Sequence, residues 1–309
     1  MFVRQLMYLA AVARERHFAR AAQSCHVSQP TLSTGIRKLE QELGVPVIER
    51  GHRFLGLTPE GERVLVWAHR IIADYDGLKQ DLSGLRGHLS GSLRLGVIPA
   101  ALPSVSLVTA PFNARHPEVA IEIRSMSSRA IERALEDFEI EAGITYLDNE
   151  PLKSVRALPL YHEKYVFVAA ATGAFGARRN MSWAQAAAAP LCLLSADMQN
   201  RRIVDRIFEE VGVEVESHIE TNSFVAICSH VRHGEWSSIL PHTYFYVFRD
   251  LEGIRAIPLV DPLRTHAVGL VTPDRTPLSP LAEALVRCAA SLDLGRELEM
   301  QRPLPRRER

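Results

Sequence analysis

Apolar residues recur with the period of an α-helix between residues 28 and 44. The apolar positions, spaced by four, three and four residues, are Leu32, Ile36, Leu39 and Leu43. This spacing places them on one face of a helix with 3.6 residues per turn. Ser28 is a favourable N-cap, Pro30 is tolerated in the first turn, and Gly44 favours helix termination. The pattern therefore predicts a short helix that buries one face.

The opposite face of this helix carries small hydrogen-bonding groups and cations. Its residues are Pro30, Thr34, Arg37 and Lys38, flanked by Thr31 and Ser33. A helix buried on one side, with such groups on the other, suits the major groove of DNA. The alternative is an ordinary amphipathic surface helix. The pair Ala21-Ala22 and a turn at residues 24–28 favour the first interpretation, because small residues let two helices cross closely.

Many positions match a known family in order and spacing. The matching residues are Leu6, Phe18, Ala21-Ala22, 27–33, Ile36, Leu39-Glu40, Leu43-Gly44, 47–50 and 57–61. With these residues, segment 1–60 resembles the winged helix-turn-helix of the LysR-type transcriptional regulators, and the resemblance continues to about residue 295. It departs at residues 17–19, where the family usually has hydroxyl groups, and at Thr34-Gly35, which replaces a longer polar pair.

The resemblance implies a partner and a set of contacts. The partner is double-stranded promoter or operator DNA. The implied DNA-binding residues are Ser28, Gln29, Pro30, Thr31, Ser33, Thr34 and Arg37 in the helix, with Arg50 and Arg53 in the basic loop that follows. We expect the helix to contact base edges and nearby phosphates, and the loop to contact the DNA backbone or minor groove.

Composition agrees with a multi-domain globular regulator. The 309 residues are 47% hydrophobic and carry 36 basic and 36 acidic side chains, so the formal net charge is zero. The balance is uneven along the chain. Residues 1–60 have eight arginine or lysine side chains and five acidic ones, an excess that a dimer would double along DNA. The length suffices for two or three folding units with their own cores.

The N-terminus and the cysteines bear on the compartment. Met1 leads into an amphipathic helix without a cleavage site, and no run of 18 apolar residues occurs. We therefore expect a cytoplasmic protein with no membrane partner. Cysteine spacing lacks any CxxC motif, which favours buried free thiols at Cys25, Cys192, Cys228 and Cys288. A thiol-based redox switch through a Cys192–Cys228 bridge is the alternative.

A second apolar stripe runs through residues 58–88. Thr58 caps this segment and Pro59 takes the first helical position. Apolar or small residues then recur in steps of three and four: Gly61, Val64, Ala68, Ile71, Tyr75, Leu78, Leu82 and Leu85. This heptad spacing predicts a helix that pairs with its copy in a dimer, and packing within the chain is the alternative. Glycines at 84, 87 and 91 predict a joint, and the resemblance implies that dimers associate into a homotetramer.

From residue 92 onward, alternating strand-like and helix-like segments predict an α/β fold with a parallel sheet. The strand-like segments are 92–98, 119–124, 141–145, 166–169, 191–194 and 267–271, and the helix-like ones are 102–115, 128–137, 203–211, 224–231 and 281–292. By the resemblance, they form a two-lobed, periplasmic-binding-protein-like effector domain. The expected order is a helix-rich winged helix-turn-helix domain at 1–58, a linker helix at 59–88 and the effector domain at 89–309. Lobe I covers about 92–161 and 266–295, and lobe II covers about 162–265.

Polar residues gather at the ends of the predicted strands. Ligands of such sheets lie beyond the carboxyl ends of strands, where helix N-termini favour a small anion such as a carboxylate. The candidate effector-binding residues are Ala100, Ser125, Ser127, Thr145, Met198, Gln199, Asn200, Asn222 and Ser223. Routine N-capping by serine and asparagine is the alternative explanation. Ala100-Ala101 stand where the family often has a hydroxyl, which favours a very small ligand or one held mainly by lobe II.

Enzymatic functions find no support in the motifs. The sequence lacks the GxSxG, HExxH, P-loop and Rossmann glycine signatures. His230 and His233 have no third ligand at metal spacing, so neither a metal nor a cofactor is expected. The α/β module alone would also fit a solute-binding protein. The missing export signal and the DNA-reading helix favour a transcriptional regulator that is switched by a small molecule.

Overall fold

The N-terminal head is built from three helices around one apolar core. The computed structural model describes residues 3–49, 54–84, 88–247 and 253–300. The head helices are α1 (Val3–Glu15), α2 (Phe18–Ser24) and α3 (Gln29–Leu43). As predicted, Ser28 caps α3, Gly44 ends it in the left-handed conformation, and Leu32 and Leu39 are fully buried. Leu43, expected in the buried stripe, is 40% exposed because it is the last residue of the helix.

The two halves of helix α4 (Pro59–Gly84) differ in burial. Val64, Ala68 and Ile71 pack into the core of the head, so the first half of the predicted dimer seam is used within the chain. Leu78 and Leu82 further along are 56% and 54% exposed. Intrachain packing is thus the correct interpretation for the first half, and the second half remains open to another chain. Residues 85–87, which include the end of the seam and part of the predicted joint, lie outside the described residues.

Lobe I begins with three parallel strands. Its first elements are β1 (Gly91–Val97), a 3-10 helix (Pro99–Ser104), α5 (Ser106–Arg115), β2 (Val119–Ser125), α6 (Ser128–Glu136) and β3 (Ala142–Tyr146). Strand β1 lies between β2 and β3 and is parallel to both. The segment 102–115 is divided between two helices instead of forming the single predicted one. The 3-10 helix includes Pro103 and ends at Ser104, and α5 begins at Ser106.

The chain then builds lobe II and returns to lobe I. The elements are β4 (Val155–Ala170), β5 (Met181–Ser182), α7 (Trp183–Ala187), β6 (Leu191–Leu194), α8 (Gln199–Val211), β7 (Ser217–Thr221), α9 (Phe224–Arg232), β8 (Ser238–Pro241), α10 (Tyr244–Val247), β9 (Ile254–Val260), β10 (Thr265–Pro273), α11 (Pro280–Ala290) and α12 (Leu294–Met300). The sequence pattern did not identify β7, β8 and β9. In the part of the chain that the structure describes, no helix is both long and apolar enough to span a bilayer.

Strand β4 connects the two lobes. Its first half pairs with β10, as far as Lys164 opposite Thr265, and its second half pairs with β8 and β9 from Tyr165 onward. Strands β9 and β10 therefore run back along β4 one after the other, and all these pairs are antiparallel. The expected parallel pairing is confirmed for β2-β1-β3, β5-β9 and β6-β7, whereas the pairs of β10 with β3 and of β4 with β8, β9 and β10 are antiparallel, so the sheet is mixed. We call residues 164–165 and 261–264 the hinge.

Candidate functional site

The exposed face of α3 presents the predicted DNA-reading residues. Ser28, Gln29, Pro30, Thr31, Thr34 and Arg37 are exposed, and Ser33 is half-buried. The Ser28 hydroxyl accepts a hydrogen bond from the Thr31 backbone N–H at 3.3 Å and lies 2.8 Å from the Thr31 hydroxyl. One surface thus combines a helix start with amide, hydroxyl and cationic groups, as a major-groove reader requires. Arg50 and Arg53, the predicted contacts of the loop, lie outside the described residues.

Both departures from the family pattern have a structural role in the head. Gly35 lies against the buried ring of Tyr8, where a Cβ atom would be 2.6 Å from the ring carbon Cδ2. A larger residue would therefore push α3 away from α1. His17 caps α2, because its Nδ1 accepts the Ala19 backbone N–H at 3.2 Å in place of a hydroxyl. These two residues support the packing of α1, α2 and α3 in the head.

The first residues of α6 and α8 meet between the lobes, at a place that we call the α6–α8 junction. Ser128 begins α6 in lobe I and donates a hydrogen bond to the side-chain oxygen of Gln199, which begins α8 in lobe II. Both side chains are buried. Among the described residues, the Gln199 side-chain nitrogen has no hydrogen-bond partner, and neither has the hydroxyl of Thr145, which is buried in β3. Two helix N-termini and unused donors therefore lie at the lobe boundary.

A chain of hydrogen bonds runs from this junction to the hinge. The Asn200 side-chain amide donates to the Tyr146 hydroxyl at 2.9 Å, and Tyr146 donates to the Glu163 carboxyl. Glu163 lies in β4 and is 0% exposed. Burial raises the pKa of Glu163 to about 8, an effect that Asp148 reinforces and the hydroxyls of Tyr146 and Tyr165 oppose. The carboxyl is therefore mostly neutral at pH 7.

The mouth of the crevice holds a cavity of about 540 Å³. Ser127 and Arg129 line it from lobe I, and Asp197 and Arg202 line it from lobe II. Arg202 also forms two hydrogen bonds with the Glu150 carboxylate, at 2.7 and 2.8 Å, which tie α8 to the loop after β3. These hydrogen bonds lower the pKa of Glu150, so the pair is charged at neutral pH. The cavity is of a size that suits a small metabolite.

The structure gives the candidate effector residues different roles. Thr145, Gln199 and Asn200 are buried at or next to the α6–α8 junction. Ser127 and Ser223 instead cap α6 and α9 through hydrogen bonds from backbone N–H groups, at 3.3 and 3.4 Å. The capping alternative therefore describes the side chains of these two serines.

The remaining candidate effector residues are exposed, pack within lobe II or join the lobes only through the main chain. Ser125 and Asn222 are exposed, and Met198 packs against the core of lobe II. Ala100 is buried, and its carbonyl oxygen accepts a hydrogen bond from the Thr243 hydroxyl of lobe II at 3.1 Å. Ala100 thus joins the lobes through its main chain.

Three residues at the lobe boundary were not among the candidates from the sequence: Ser128 and Tyr146, which form hydrogen bonds to lobe II, and Glu163, which accepts the Tyr146 hydroxyl. A signal existed for Glu163, because it alternates with Tyr161 and Tyr165 along β4 and all three are buried. A period of two puts such residues on one face of a strand. No comparable signal existed for Ser128, since its direction depends on the residue at which α6 begins.

None of the four cysteines takes part in a disulfide in this structure. All four are unbonded, with Cys192 and Cys288 buried and Cys25 and Cys228 half-buried rather than buried as predicted. Burial raises the pKa of Cys192, and it raises the pKa of Cys228 to about 11. Because the thiolate is the reactive form, both groups are poor nucleophiles at neutral pH. The alternative of a Cys192–Cys228 redox switch stays a prediction.

Two family models match the chain along most of its length. The model of the bacterial regulatory helix-turn-helix protein, lysR family, matches residues 3–62, and that of the LysR substrate binding domain matches residues 86–292. The chain belongs to the LysR family of transcriptional regulators. The first match contains the α3 surface, and the second contains both lobes and the α6–α8 junction.

Individual relatives agree with this assignment. The DNA-binding transcriptional dual regulator OxyR of Escherichia coli (strain K12) is 29% identical over 92% of this chain and 95% of its own length. A full-length cysteine-to-aspartate variant of OxyR from Pseudomonas aeruginosa has a TM-score of 0.76 at 25% identity, covering 100% of this chain and 99% of that chain. CbnR in complex with its target DNA has a TM-score of 0.70 at 20% identity, covering 94% and 99%, and supports the fold.

Proposed function

We propose that this LysR-type regulator binds a small anion at the α6–α8 junction and that the anion controls how α3 binds operator DNA. The observation that carries the proposal is the meeting of two helix N-termini from different lobes at Ser128 and Gln199. Backbone N–H groups and the helix dipole favour negative charge at such an end. An anion held by both helices binds the closed arrangement of the lobes more tightly than the open one, so it shifts the balance between them.

The unused donors support the choice of an anion. The Gln199 side-chain nitrogen and the Thr145 hydroxyl can both donate hydrogen bonds to a carboxylate. Glu163 does not oppose a nearby negative charge at pH 7, because burial raises its pKa to about 8 and keeps it mostly protonated.

Helix α6 offers a route from the junction to the head. Its first residue, Ser128, lies at the junction. Asp137 and Phe138, which follow its last residue, lie near α4. The Arg275 guanidinium covers the Phe138 ring at 4.3 Å and lies 4.0 Å from the Asp74 carboxylate of α4. Burial lowers the pKa of His69 in α4, and the nearby Glu139 and Asp137 carboxylates oppose this shift. A shift of α6 on ligand binding therefore reaches the helix that carries the head.

Loss of the junction donors should weaken anion binding. We expect Gln199→Leu and Thr145→Val to abolish most of the thermal stabilisation by the best ligand in a panel of formate, acetate, oxalate, phosphate and sulfate. At one hundred times its dissociation constant, a ligand contributes about 2.7 kcal/mol to the wild type. Asn222→Ala, at an exposed candidate position, is the matched control and should leave the effect unchanged. Equal stabilisation of all four proteins would contradict the proposed site.

Substitutions on α3 should separate affinity from specificity. Arg37→Ala should weaken binding to every duplex and reduce the slope of log K against log salt by about 0.9 for each lost phosphate contact. Gln29→Ala should instead reduce discrimination at one base pair by about 1–3 kcal/mol. Fluorescence anisotropy with a selected duplex and a scrambled one, at several salt concentrations, measures both effects. The assignment fails if Arg37→Ala changes neither the affinity for the scrambled duplex nor the salt slope.

The exposed second half of α4 should form the dimer contact. A charge at Leu78 or Leu82 should split the dimer, because each side chain is more than half exposed in the single chain and lies on the predicted seam. Ile71 is unsuitable for this test, since it packs into the head. Sedimentation velocity should show a smaller assembly for Leu78→Glu and an unchanged one for Val66→Glu, an exposed control on the same helix but off the seam. An unchanged mass for Leu78→Glu would exclude this contact.

A further inference from the structure

Glu163 occupies an unusual position for an acidic residue. It lies in β4 immediately before the hinge, opposite His266 of β10, and is fully buried. Among the described residues, no arginine or lysine forms an ion pair with its carboxyl. A buried carboxylate without a basic partner is strongly unfavourable in its ionised form. This environment therefore favours the neutral, protonated form of the Glu163 carboxyl while the lobes are closed.

This carboxyl is linked to lobe II through Tyr146. Tyr146 of lobe I donates to it, and the same hydroxyl accepts a hydrogen bond from Asn200 of lobe II. Separation of α8 from β3 would break the link to Asn200 and let water reach the carboxyl. We propose that Glu163 is a proton-binding site of the hinge, which takes up a proton when the lobes close and releases it when they open. Coupling to the effector rests on the proposed function, whereas the proton site does not.

The titratable groups that face Glu163 are mostly tyrosines. The titratable residues around it are Tyr146 on β3, Tyr161 and Tyr165 on β4, Tyr244 on α10, Asp148 after β3 and His266 on β10. Burial raises the pKa of each of these tyrosines, so they stay neutral where Glu163 ionises. The Asp148 carboxylate lies 3.1 Å from His266 Nδ1 and also favours the protonated form of Glu163.

The direction of the pH effect follows from the two environments. In the closed lobes the pKa of Glu163 is about 8, whereas the ordinary value is 4.5. In the open lobes, where water reaches the carboxyl, its pKa lies closer to the ordinary value. Closure therefore takes up close to one proton between these values, and the closing equilibrium falls up to tenfold for each pH unit. Above about pH 8 the effect ends, because the carboxyl is then ionised in both arrangements.

Infrared difference spectroscopy and hydrogen exchange on the full chain without ligand test the proposal. The wild type minus Glu163→Gln spectrum should show a protonated carboxyl band at pH 6.5 that is half lost near pH 8. After correction for intrinsic rates, amide protection at residues 160–166 should fall by up to tenfold from pH 6.5 to 7.5 in the wild type. It should stay constant in Glu163→Gln, whose amide oxygen still accepts the Tyr146 hydroxyl. Glu216→Gln, at an exposed acid of lobe II, should behave as the wild type.

A second variant keeps the test decisive if Glu163→Gln fails to fold. Tyr146→Phe retains the acid and removes its hydrogen-bond donor, so the carboxyl band should remain at pH 6.5 and move in frequency. Absence of that band from the wild type, or an equal loss of protection in Glu163→Gln, would overturn the proposal. Because no effector is present, failure of the anion site leaves this result intact, and failure of the proton site leaves the anion experiment intact.

Discussion

Replacing Gly61 by alanine should unfold much of the head. A methyl group at this position would overlap the backbone carbonyl oxygen of Val47 and lie 2.8 Å from its carbon. The Val47 segment cannot move easily, because the Glu40 carboxylate accepts its backbone N–H at 2.9 Å and the Thr58 hydroxyl donates to the adjacent Pro46 carbonyl at 2.7 Å. We expect a loss of at least about 3 kcal/mol, the upper end for overpacking in a rigid site.

The same substitution at Gly77 is the matched control. Gly77 lies in the same helix, α4, and a Cβ atom there would have no neighbour within 4 Å. Alanine should therefore stabilise the helix by up to about 1 kcal/mol. Hydrogen exchange of the α3 amides measures both variants, and a loss of 3 kcal/mol corresponds to roughly a hundredfold faster exchange. Wild-type exchange rates in Gly61→Ala would show that the contact with Val47 is relieved at little cost.

Replacing Glu163 by glutamine should remove a large pH dependence from the stability of the lobes. The folded pKa of about 8 lies above the ordinary value of 4.5, so the folded state binds the extra proton. The stabilisation is fully present below about pH 4.5 and is lost as the pH rises towards 8. Each pH unit in that range removes about 1.4 kcal/mol. We therefore expect Glu163→Gln to gain about 2 kcal/mol on the wild type between pH 6 and 8.

Urea denaturation from pH 6 to 9 measures this gain. Trp183 reports on the lobes, because it is buried and packs against Tyr165 with ring centroids 6.0 Å apart. The difference between the variant and the wild type should grow up to about pH 8 and then stay constant. Glu216→Gln should differ from the wild type by the same amount at every pH. A constant difference for Glu163→Gln as well would mean that its carboxyl is already ionised at pH 6.

The head could be predicted closely because its signals are local. The Ser28 cap, the helix end at Gly44 and the apolar stripe of α3 each act within a few residues, and the structure confirms them except for Leu43 at the end of the stripe. The role of α4 depended on a tertiary contact instead. The heptad spacing correctly predicted a helix. The sequence did not show that the first half of the stripe, including Ile71, packs against the core of the head.

The candidate effector site was only partly predictable, because a serine at a helix start can either cap its own helix or turn towards the other lobe. Ser127 caps α6, and the next residue, Ser128, turns towards Gln199 of the other lobe. A shift of one residue in the helix start would exchange these roles. Glu163 is predictable in retrospect from its alternation with Tyr161 and Tyr165, but its contact with Tyr146 required the fold.

DNA binding with and without the anion tests the central claim most directly. A duplex selected by the full chain from a random pool would be titrated in the presence and absence of the panel anion that gives the largest thermal shift. We expect the anion to change the affinity or the length of the protected DNA for the wild type and to change neither for Gln199→Leu. An identical response of both proteins, or no response of the wild type, would contradict control of DNA binding through the α6–α8 junction.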